Sequence, residues 1–276
     1  MNDLNNIFIN NWKEERKMNI EETRVFWDTK AHSYNKGVYE KNQRKSQLAE
    51  AFFGKGIITK DSKVLDIGAG PGNYAIPFAK LVSEVTALDI SEEMVKYLKG
   101  NAQKEGLKNI SAFQSSWEEL DIDKNGLTKQ YDLVFASMTP AVSSYESLIK
   151  MIDASRNYCY LSGFVYRQDS IWDEIREKIL KKDKDEERQN KIYYAFNILW
   201  NMGIHPEIEY YEREHVHTYE TDDLIDMYTQ KAKSSAKDIG KEEIEQIEKF
   251  IRSKEDNNIV EENMKSKSAA LIWKVL

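Results

Sequence analysis

A short apolar segment that runs straight into a glycine-rich turn constrains the fold of this chain more than any other feature. Residues 64–67 are apolar except for one acid, as expected of a buried parallel strand, and glycines occupy alternate positions within residues 68–73. Because glycine has no Cβ, it tolerates positive φ and lets the backbone approach a ligand closely. The residues that follow predict a helix over 74–81, whose first N–H groups would point towards the bound molecule. The pattern therefore predicts a ligand-binding strand, turn and helix.

The spacing of the glycines separates two kinds of nucleotide-binding turn. The dinucleotide fingerprint GxGxxG, aligned on Gly68, requires a glycine at position 73, where this chain has Asn73. Here an acid, Asp66, instead precedes three glycines at every second position. A second apolar stretch ends in Asp89, 17 residues after Gly72. A carboxylate at that place can accept hydrogen bonds from the hydroxyls of a nucleotide ribose.

The pattern Asp-x-Gly-x-Gly-x-Gly that begins at Asp66, together with Asp89, resembles the cofactor motifs of the class I S-adenosylmethionine (SAM) dependent methyltransferases. The resemblance is good over residues 25 to 165 and rests only on the order of elements elsewhere. It implies an α/β fold with a doubly wound, mostly parallel seven-stranded Rossmann-like sheet, an antiparallel C-terminal hairpin and a helical insertion. It also implies an enzyme that uses SAM as cofactor and transfers its methyl group by in-line displacement.

The resemblance further implies where the cofactor binds. The glycine turn would hold the amino-acid part of SAM, and Asp89 would hold the ribose. Ser116 stands where the family commonly has an Asp that binds the adenine amino group, and Trp117 would pack on the adenine ring. The predicted cofactor-binding residues are Asp66, Gly68, Ala69, Gly70, Gly72, Asn73, Asp89, Ile90, Ser116, Trp117, Ser137 and Tyr34.

Residues 25–36 resemble the aromatic-rich lead-in helix that lies over the cofactor in many small-molecule methyltransferases. Ordinary surface packing of Trp27 and Tyr34 is the alternative interpretation. Methyl transfer mainly requires alignment of the nucleophile and exclusion of water, so the sequence need not contain an obligate catalytic acid. The catalytic residue is therefore unknown. The candidates are Tyr34, His32 and Ser137, with the histidines at 205, 215 and 217 as further proton acceptors.

The segment 137–141 follows the fourth predicted strand. In parallel α/β sheets ligands lie beyond the carboxyl ends of the strands, so we expect this segment to border the reacting methyl group. It partly resembles the Asn-Pro-Pro-aromatic loop of enzymes that methylate amino groups of nucleic acids. Because it lacks the Asn, the first Pro and the aromatic residue, that activity is not carried over. Pro140 can also serve simply to end the strand.

Composition excludes several other classes of protein. The single cysteine, Cys159, excludes an intrachain disulfide, a cysteine-cluster metal site and SAM chemistry on a three-cysteine iron–sulfur cluster. His215 and His217 project to the same side of a predicted strand, but no third ligand is evident, so we expect a polar sheet face and no metal. A run of about 18 apolar residues and a signal-peptide pattern are both missing, which predicts a soluble, cytoplasmic protein.

The order of elements suggests four segments. We predict an N-terminal helical lead-in or lid over residues 1–60 and a SAM-binding core over 61–166. A mainly helical insertion over 167–221 would pack above the sheet and roof the active site, because its apolar residues are too many to leave in water. C-terminal helices and a closing strand would follow over 222–276. Residues 168–202 are expected to be helical. Residues 1–24 are polar with a small apolar cluster, and the sequence leaves open whether that cluster docks on the rest of the chain or on a second copy.

The favoured function is a SAM-dependent methyltransferase that acts on a small-molecule acceptor. The net charge of −7 and pI of 5.4 predict no clustered basic surface of the kind that binds nucleic acid. Methylation of protein or RNA stays open as a second interpretation. A third interpretation is a SAM-binding sensor or partner subunit without transferase activity. The sequence predicts no membrane contact, and it leaves the acceptor and the oligomeric state open.

Overall fold

The computed structural model describes residues 3–14, 19–40, 42–182, 191–235 and 239–275. These residues form two compact units. The first unit draws on Met1–Gly163, Asn190–Glu209 and Ala270–Leu276, and the second on Phe164–Gln189 and Tyr210–Ala269. None of the helices in the described ranges is long and apolar enough to cross a membrane.

Three helices precede the first strand, and strands and helices then mostly alternate along the chain. The helices are α1 (Asp3–Glu14), α2 (Ile20–Glu40), α3 (Asn42–Gly54), α4 (Ala75–Ala79), α5 (Glu92–Lys104), α6 (Tyr145–Ala154), α7 (Ser170–Lys178), α8 (Lys191–Asn201), α9 (Thr221–Ser235) and α10 (Lys241–Arg252). The strands are β1 (Lys63–Ile67), β2 (Glu84–Asp89), β3 (Ile110–Gln114), β4 (Tyr131–Ser137), β5 (Ser155–Asp169), β6 (Glu207–Glu220) and β7 (Ile259–Lys274).

The seven strands form one sheet in the order β3-β2-β1-β4-β5-β7-β6. Every neighbouring pair from β3 to β5 is parallel. With its surrounding helices and its antiparallel C-terminal hairpin, the sheet confirms the predicted doubly wound fold. The chain passes from β1 to β2 on one side, while β4 lies on the other side, so the topological switch point lies between β1 and β4. Ligands of such sheets bind at the carboxyl ends of the strands that flank this point.

Aromatic rings fill the core of the first unit on one face of its sheet. Phe135 of β4 and Tyr160 of β5 occupy paired positions, and their rings stack with centroids 4.7 Å apart. Phe78 of α4 meets the edge of the Phe135 ring at 5.0 Å, and Phe52 of α3 meets that of Tyr160 at 5.5 Å. All four side chains are buried, so α3 and α4 are fixed on this face by aromatic packing.

The second unit is built from three helices and the distal parts of the long strands. Helices α7, α9 and α10 join their apolar faces around the buried ring of Trp172. Glu262 of β7 is fully buried and accepts hydrogen bonds from the N–H groups of Ile171 and Trp172 at 3.0 and 3.2 Å. The hydroxyl of Tyr228 donates to its other oxygen at 2.5 Å. The side chain of Asp169, the N-cap residue, accepts no hydrogen bond from α7. Glu262 therefore accepts the hydrogen bonds of the first free N–H groups of this helix in its place.

Helices α1, α2 and α3 all lie within residues 1–60, the predicted helical lead-in. Helix α1 packs on α8, with the ring of Trp12 6.1 Å from that of Tyr194. A sparse apolar pattern becomes helical here because another helix covers it. The stretch 168–202 does not begin as helix, since β5 continues to Asp169. The mixed charged run at 181–188 lies largely outside the described residues.

Candidate active site

The glycine turn lies between β1 and α4 and is fastened to the end of β2. The N–H groups of Gly68 and Ala69 both donate to the carbonyl oxygen of Leu88, at 2.9 and 3.0 Å. Gly68 has φ of +68°, and a Cβ added there would lie 2.0 Å from Oγ1 of Thr139. Any side chain at position 68 would therefore clash with the loop after β4. The glycine permits both the positive φ and this close approach.

Asp89, at the end of β2, joins the turn to the start of α5. One carboxylate oxygen accepts from the N–H of Gly70 at 2.9 Å, and the other accepts from the N–H of Ser91 at 2.9 Å. Burial raises the pKa of this carboxyl above its ordinary value, and the two N–H groups oppose that effect. Each carboxylate oxygen can accept a second hydrogen bond, so Asp89 both holds the turn and keeps capacity for a ligand.

Asp66 and Asn73 supply buried acceptors that lack a partner. Asp66 is 2% exposed, and its Oδ2 atom has no hydrogen bond among the described residues. The Oδ1 atom of Asn73 is likewise buried and unpaired there. Burial, opposed by the N–H of Ala75 and reinforced by the charge of Asp89, raises the pKa of Asp66 to about 7. Because buried acceptors are normally satisfied, these two oxygens mark a place for a ligand donor.

The lead-in segment is helix α2, which runs alongside α5. Asp28 accepts a 2.6 Å hydrogen bond from the hydroxyl of Ser91, the residue that caps α5. Further along, the Nδ1 atom of His32 lies 3.0 Å from the hydroxyl of Tyr97. Tyr34 is 48% exposed, and its ring meets that of Trp27 at 5.2 Å. The two aromatic residues thus pack on each other, and Tyr34 keeps a large exposed surface.

Asn101 of α5 connects α2 to the glycine turn. Its side-chain amide donates to the carbonyl oxygen of Pro71 at 3.0 Å and to Oδ1 of Asn35 at 2.8 Å. Asn101 is buried, at 2% exposure. Neither this residue nor Asp28 was predicted as a site residue. Asp28 meets Ser91 across 63 positions, and Asn101 meets Asn35 across 66 and Pro71 across 30.

The predicted adenine-binding residues lie after β3. Ser116 is partly exposed, and its carbonyl oxygen accepts the N–H of Leu120. Trp117 is 1% exposed and donates its indole N–H to the carbonyl oxygen of Ser147 at 3.1 Å. Contact between Trp117 and adenine stays a prediction. Ile90, also predicted, is partly exposed and accepts from the side chain of Gln114 at 3.1 Å.

The loop after β4 combines close contacts with an unusual backbone. The hydroxyl of Ser137 lies 2.9 Å from that of Ser162 on β5. Met138 has φ of +53° and is 42% exposed, whereas Thr139 is buried against Gly68. The carbonyl oxygen of Thr139 accepts a hydrogen bond from Nζ of Lys191, the first residue of α8, at 2.9 Å. Lys191 was not singled out in the sequence, where nothing marks its partner 52 residues earlier.

The histidines are spread over different surroundings. The rings of His215 and His217 lie 4.6 Å apart on β6, and that of His205 lies 4.5 Å from Trp200. Within the part of the chain that the structure describes, no group of three His, Cys, Asp or Glu residues is arranged to hold a metal ion.

The parallel sheet in this strand order, the glycine turn after β1 and the acid ending β2 together define a class I methyltransferase fold. A family model described as a methyltransferase domain matches residues 58–250. The match covers more than half of the chain, which therefore belongs to this methyltransferase family. The predicted family and its dependence on SAM are confirmed.

Relatives with similar sequences leave the acceptor open. A Haemophilus influenzae protein described only as uncharacterized is 26% identical over 252 residues, which are 91% of this chain and 89% of that protein. The 23S rRNA (uracil(1939)-C(5))-methyltransferase RlmD of Haemophilus ducreyi is 35% identical over 77 residues. That match covers 28% of this chain and only 17% of the rRNA enzyme.

Solved structures share the fold at low sequence identity. A methyltransferase candidate from Bacillus halodurans superposes with a TM-score of 0.52 and 15% identity, covering 85% of this chain and 98% of that chain. Magnesium protoporphyrin IX methyltransferase from Synechocystis, solved with bound S-adenosylhomocysteine (SAH), gives 0.51 and 16%, covering 70% and 91% of the two chains. At these identities the likeness shows the fold alone.

The residues at the glycine turn fit a cofactor that carries an amino group and a ribose. Asp66 and Asn73 offer unpaired buried oxygens to an ammonium donor. Asp89 offers remaining acceptor capacity to hydroxyls, and positive φ at Gly68, Gly70 and Gly72 keeps side chains out of the turn.

Proposed function

We propose that this protein transfers the methyl group of SAM to a small-molecule acceptor at the carboxyl ends of β1 and β4. The observation that carries the proposal is the glycine turn, which Asp89 holds through Gly70 while an oxygen of Asp66 stays buried and unpaired. A turn built only for stability would not leave an acceptor unsatisfied in this position.

Each residue of the site has a distinct task in this proposal. Asp66 and Asn73 bind the ammonium of the cofactor, and Asp89 accepts from its ribose hydroxyls. SAM supplies an electrophilic methyl group when it is bound. The loop after β4, with Ser137 at its start, aligns the acceptor for in-line attack, and α2 with Tyr34 shields the reacting atoms from water.

Proton removal, where the acceptor needs it, has three catalytic candidates. Tyr34 is exposed enough to meet a ligand. The Nδ1 atom of His32 lies at hydrogen-bond distance from Tyr97, and Ser137 is similarly close to Ser162. A hydrogen-bond partner orients a general base, so neither contact removes its residue from candidacy. The insertion over 167–221 is proposed to select the acceptor, because α8 within it contacts the loop after β4 through Lys191.

A small acceptor agrees with the acidic chain, whose net charge of −7 disfavours binding to a phosphate backbone. Methylation of protein or RNA is the second candidate, and the partial similarity to RlmD supports it for RNA. Binding of SAM without transfer is the third, and it would use the same turn.

Calorimetric titration with SAH and with NAD tests the cofactor assignment. We expect SAH to bind and NAD to fail. Asp89→Asn and Asp89→Ala should weaken SAH by about tenfold to a hundredfold, as lost hydrogen bonds to a charged group do. Asp61→Ala, which removes an exposed acid before β1, is the matched control and should bind as the wild type does. Unchanged affinity in both Asp89 variants would contradict the site.

Radiolabelled SAM distinguishes the three functions. The protein is incubated with cell metabolites below about 1 kDa, with total RNA and with a protein extract, and label is counted in each fraction. Label in the metabolite fraction supports the proposal, whereas label in RNA or protein supports the second candidate. SAH binding with no label in any fraction supports a sensor.

A further inference from the structure

Lys150 and Lys191, both in the first unit, donate hydrogen bonds from their ammonium groups to backbone carbonyls. They differ in how many of their N–H donors have an acceptor. Nζ of Lys150 donates to three backbone carbonyls, those of Trp117, Glu118 and Leu120, at 2.8–2.9 Å. An ammonium has three donors, so each of them has an acceptor. Lys150 therefore fastens the loop after β3 to α6, and its surroundings explain it without a ligand.

Lys191 has a different environment. Its ammonium donates to one acceptor, the carbonyl oxygen of Thr139, at 2.9 Å. Among the described residues no carboxylate pairs with it, and its two remaining N–H groups have no acceptor there. Burial lowers its pKa to about 8, so most molecules still carry the charge at pH 7. Partial removal from water disfavours the charge of Lys191, and an anion beside it would offset that cost.

The protein makes room for this side chain. A Cβ at Gly163 of β5 would lie 2.7 Å from Cε of Lys191 and 3.2 Å from Nζ. Any larger residue at 163 would push the lysine away. The φ angle of Gly163 is not positive, so the backbone conformation does not require glycine here. Glycine at this position instead leaves space for the side chain of Lys191.

The position of the ammonium places it next to the proposed reaction site. Thr139 contacts the ammonium through its carbonyl oxygen and Gly68 of the glycine turn through its side chain. A single residue thus separates Lys191 from the cofactor turn, at the carboxyl end of β4. In parallel sheets ligands bind beyond the carboxyl ends of the strands that flank the switch point, and β4 is one of these strands.

We propose that Lys191 binds an anionic group of the methyl acceptor, which is therefore a small molecule bearing a carboxylate or a phosphate. This inference rests on the proposed function and names the substrate class of the same site. The two unused N–H groups are its donors to the anion, and Gly163 keeps them at the end of β4. Lys191 is thus a specificity residue that holds the acceptor beside the methyl group.

The test uses the full chain labelled with 13C at the lysine Cε atoms, with and without saturating SAH. Acetate, succinate and inorganic phosphate are titrated, and uncharged acetamide serves as the ligand control. The Lys191 resonance is assigned by its loss in Lys191→Met. We expect it to shift saturably with at least one anion and to stay fixed with acetamide. Comparing the carboxylates with phosphate shows which anion the site prefers.

Variants separate charge from position. Affinity for the preferred anion, followed by tryptophan fluorescence, should fall at least about tenfold in Lys191→Met, because a charge-assisted contact is lost. Lys191→Arg keeps the charge and should stay within about threefold. Gly163→Ala keeps the lysine but fills its space, and should weaken binding as Lys191→Met does. Lys99→Met removes an exposed lysine of α5 and should leave affinity unchanged.

Three results would overturn the proposal: no saturable shift with any anion, equal affinity in Lys191→Met and wild type, or no recovery in Lys191→Arg. The last result would mean that a positive charge at position 191 is not sufficient to bind the anion. Thermal unfolding of each variant identifies a loss of fold, and Gly163→Ala replaces Lys191→Met should that variant not fold. Failure of SAH to bind would refute the proposed function instead, while the anion titration without SAH still tests Lys191.

Discussion

Asp66 is expected to lower the stability of the folded protein at neutral pH while supporting cofactor binding. Its carboxyl is buried, and its pKa is raised from 3.8 to about 7, mainly by desolvation. A raised pKa in the folded state means that the unfolded state ionises first. The stability that the neutral carboxyl contributes is therefore complete below about pH 4 and is lost as the pH rises through 7.

The shift of about three units corresponds to about 4 kcal/mol over the full range, and about 2.5 kcal/mol of it falls between pH 5 and 8. Asp66→Asn cannot ionise, and its amide oxygen can still accept from the N–H of Ala75. We expect the free energy of unfolding of Asp66→Asn, relative to wild type, to rise by about 2.5 kcal/mol from pH 5 to pH 8. Urea unfolding at four pH values measures this difference.

Asp61→Asn is the control, since Asp61 is exposed and precedes the same strand. Its difference from wild type should stay constant with pH. A constant difference for Asp66→Asn would refute the raised pKa and the argument built on it.

The same carboxyl predicts a proton linked to cofactor binding. An ammonium beside Asp66 favours the ionised form, so SAH should displace a proton at pH 6.5. Calorimetry in two buffers with different ionisation enthalpies should show release of a substantial fraction of one proton for wild type and none for Asp66→Asn. The variant should also lose more affinity for SAH than for adenosine, which lacks the amino group. Equal losses for the two ligands would remove Asp66 from the ammonium site.

Two further predictions concern α2 and the second unit. Because α2 is proposed to close over the cofactor, hydrogen exchange over residues 20–38 should slow when SAH is added. For the same reason, Tyr34→Ala should raise the SAH off-rate without unfolding the protein. Equally slow exchange without SAH would mean that α2 does not move. Glu262→Ala should cost about 2–4 kcal/mol in urea unfolding, because it leaves two N–H groups at the start of α7 and the Tyr228 hydroxyl without their acceptor. The exposed Glu261→Ala is its control, and an equal effect of both would contradict the capping role.

The glycine turn and its acids could be predicted because their signal is local. The conformation of residues 66–73 depends on backbone torsions that only glycine adopts easily, and on a strand pattern that precedes it. Asp89 follows from the same logic, since it ends the next strand along the chain. The mostly parallel seven-stranded sheet with its antiparallel C-terminal hairpin followed from the family that these motifs indicate.

The contacts that complete the site could not be predicted, because each joins residues far apart in the chain. Asp28 meets Ser91 across 63 positions, Asn101 meets Asn35 across 66, and Lys191 meets Thr139 across 52. Lysine and asparagine on a helix are usually exposed, so their residue types carry no sign of burial. Trp117 is buried and hydrogen-bonded to Ser147 of α6, and its contact with the adenine stays a prediction.

The charged groups near Gly68 are acidic on one side and basic on the other, and this difference favours a different substrate on each side. Asp66 of β1 and Asp89 at the end of β2 have raised pKa values because burial disfavours their charges. At the end of β4 lies Lys191, whose pKa is lowered for the same reason. Each group gains from a ligand of opposite charge, so the acids favour a cationic cofactor and the lysine favours an anionic acceptor. A cofactor entering the acceptor side, or an acceptor entering the cofactor side, would meet like charge in a partly desolvated place. The two substrates are then kept in order by repulsion as well as by attraction, and Thr139, which contacts both Gly68 and Lys191, marks the boundary between the two sides.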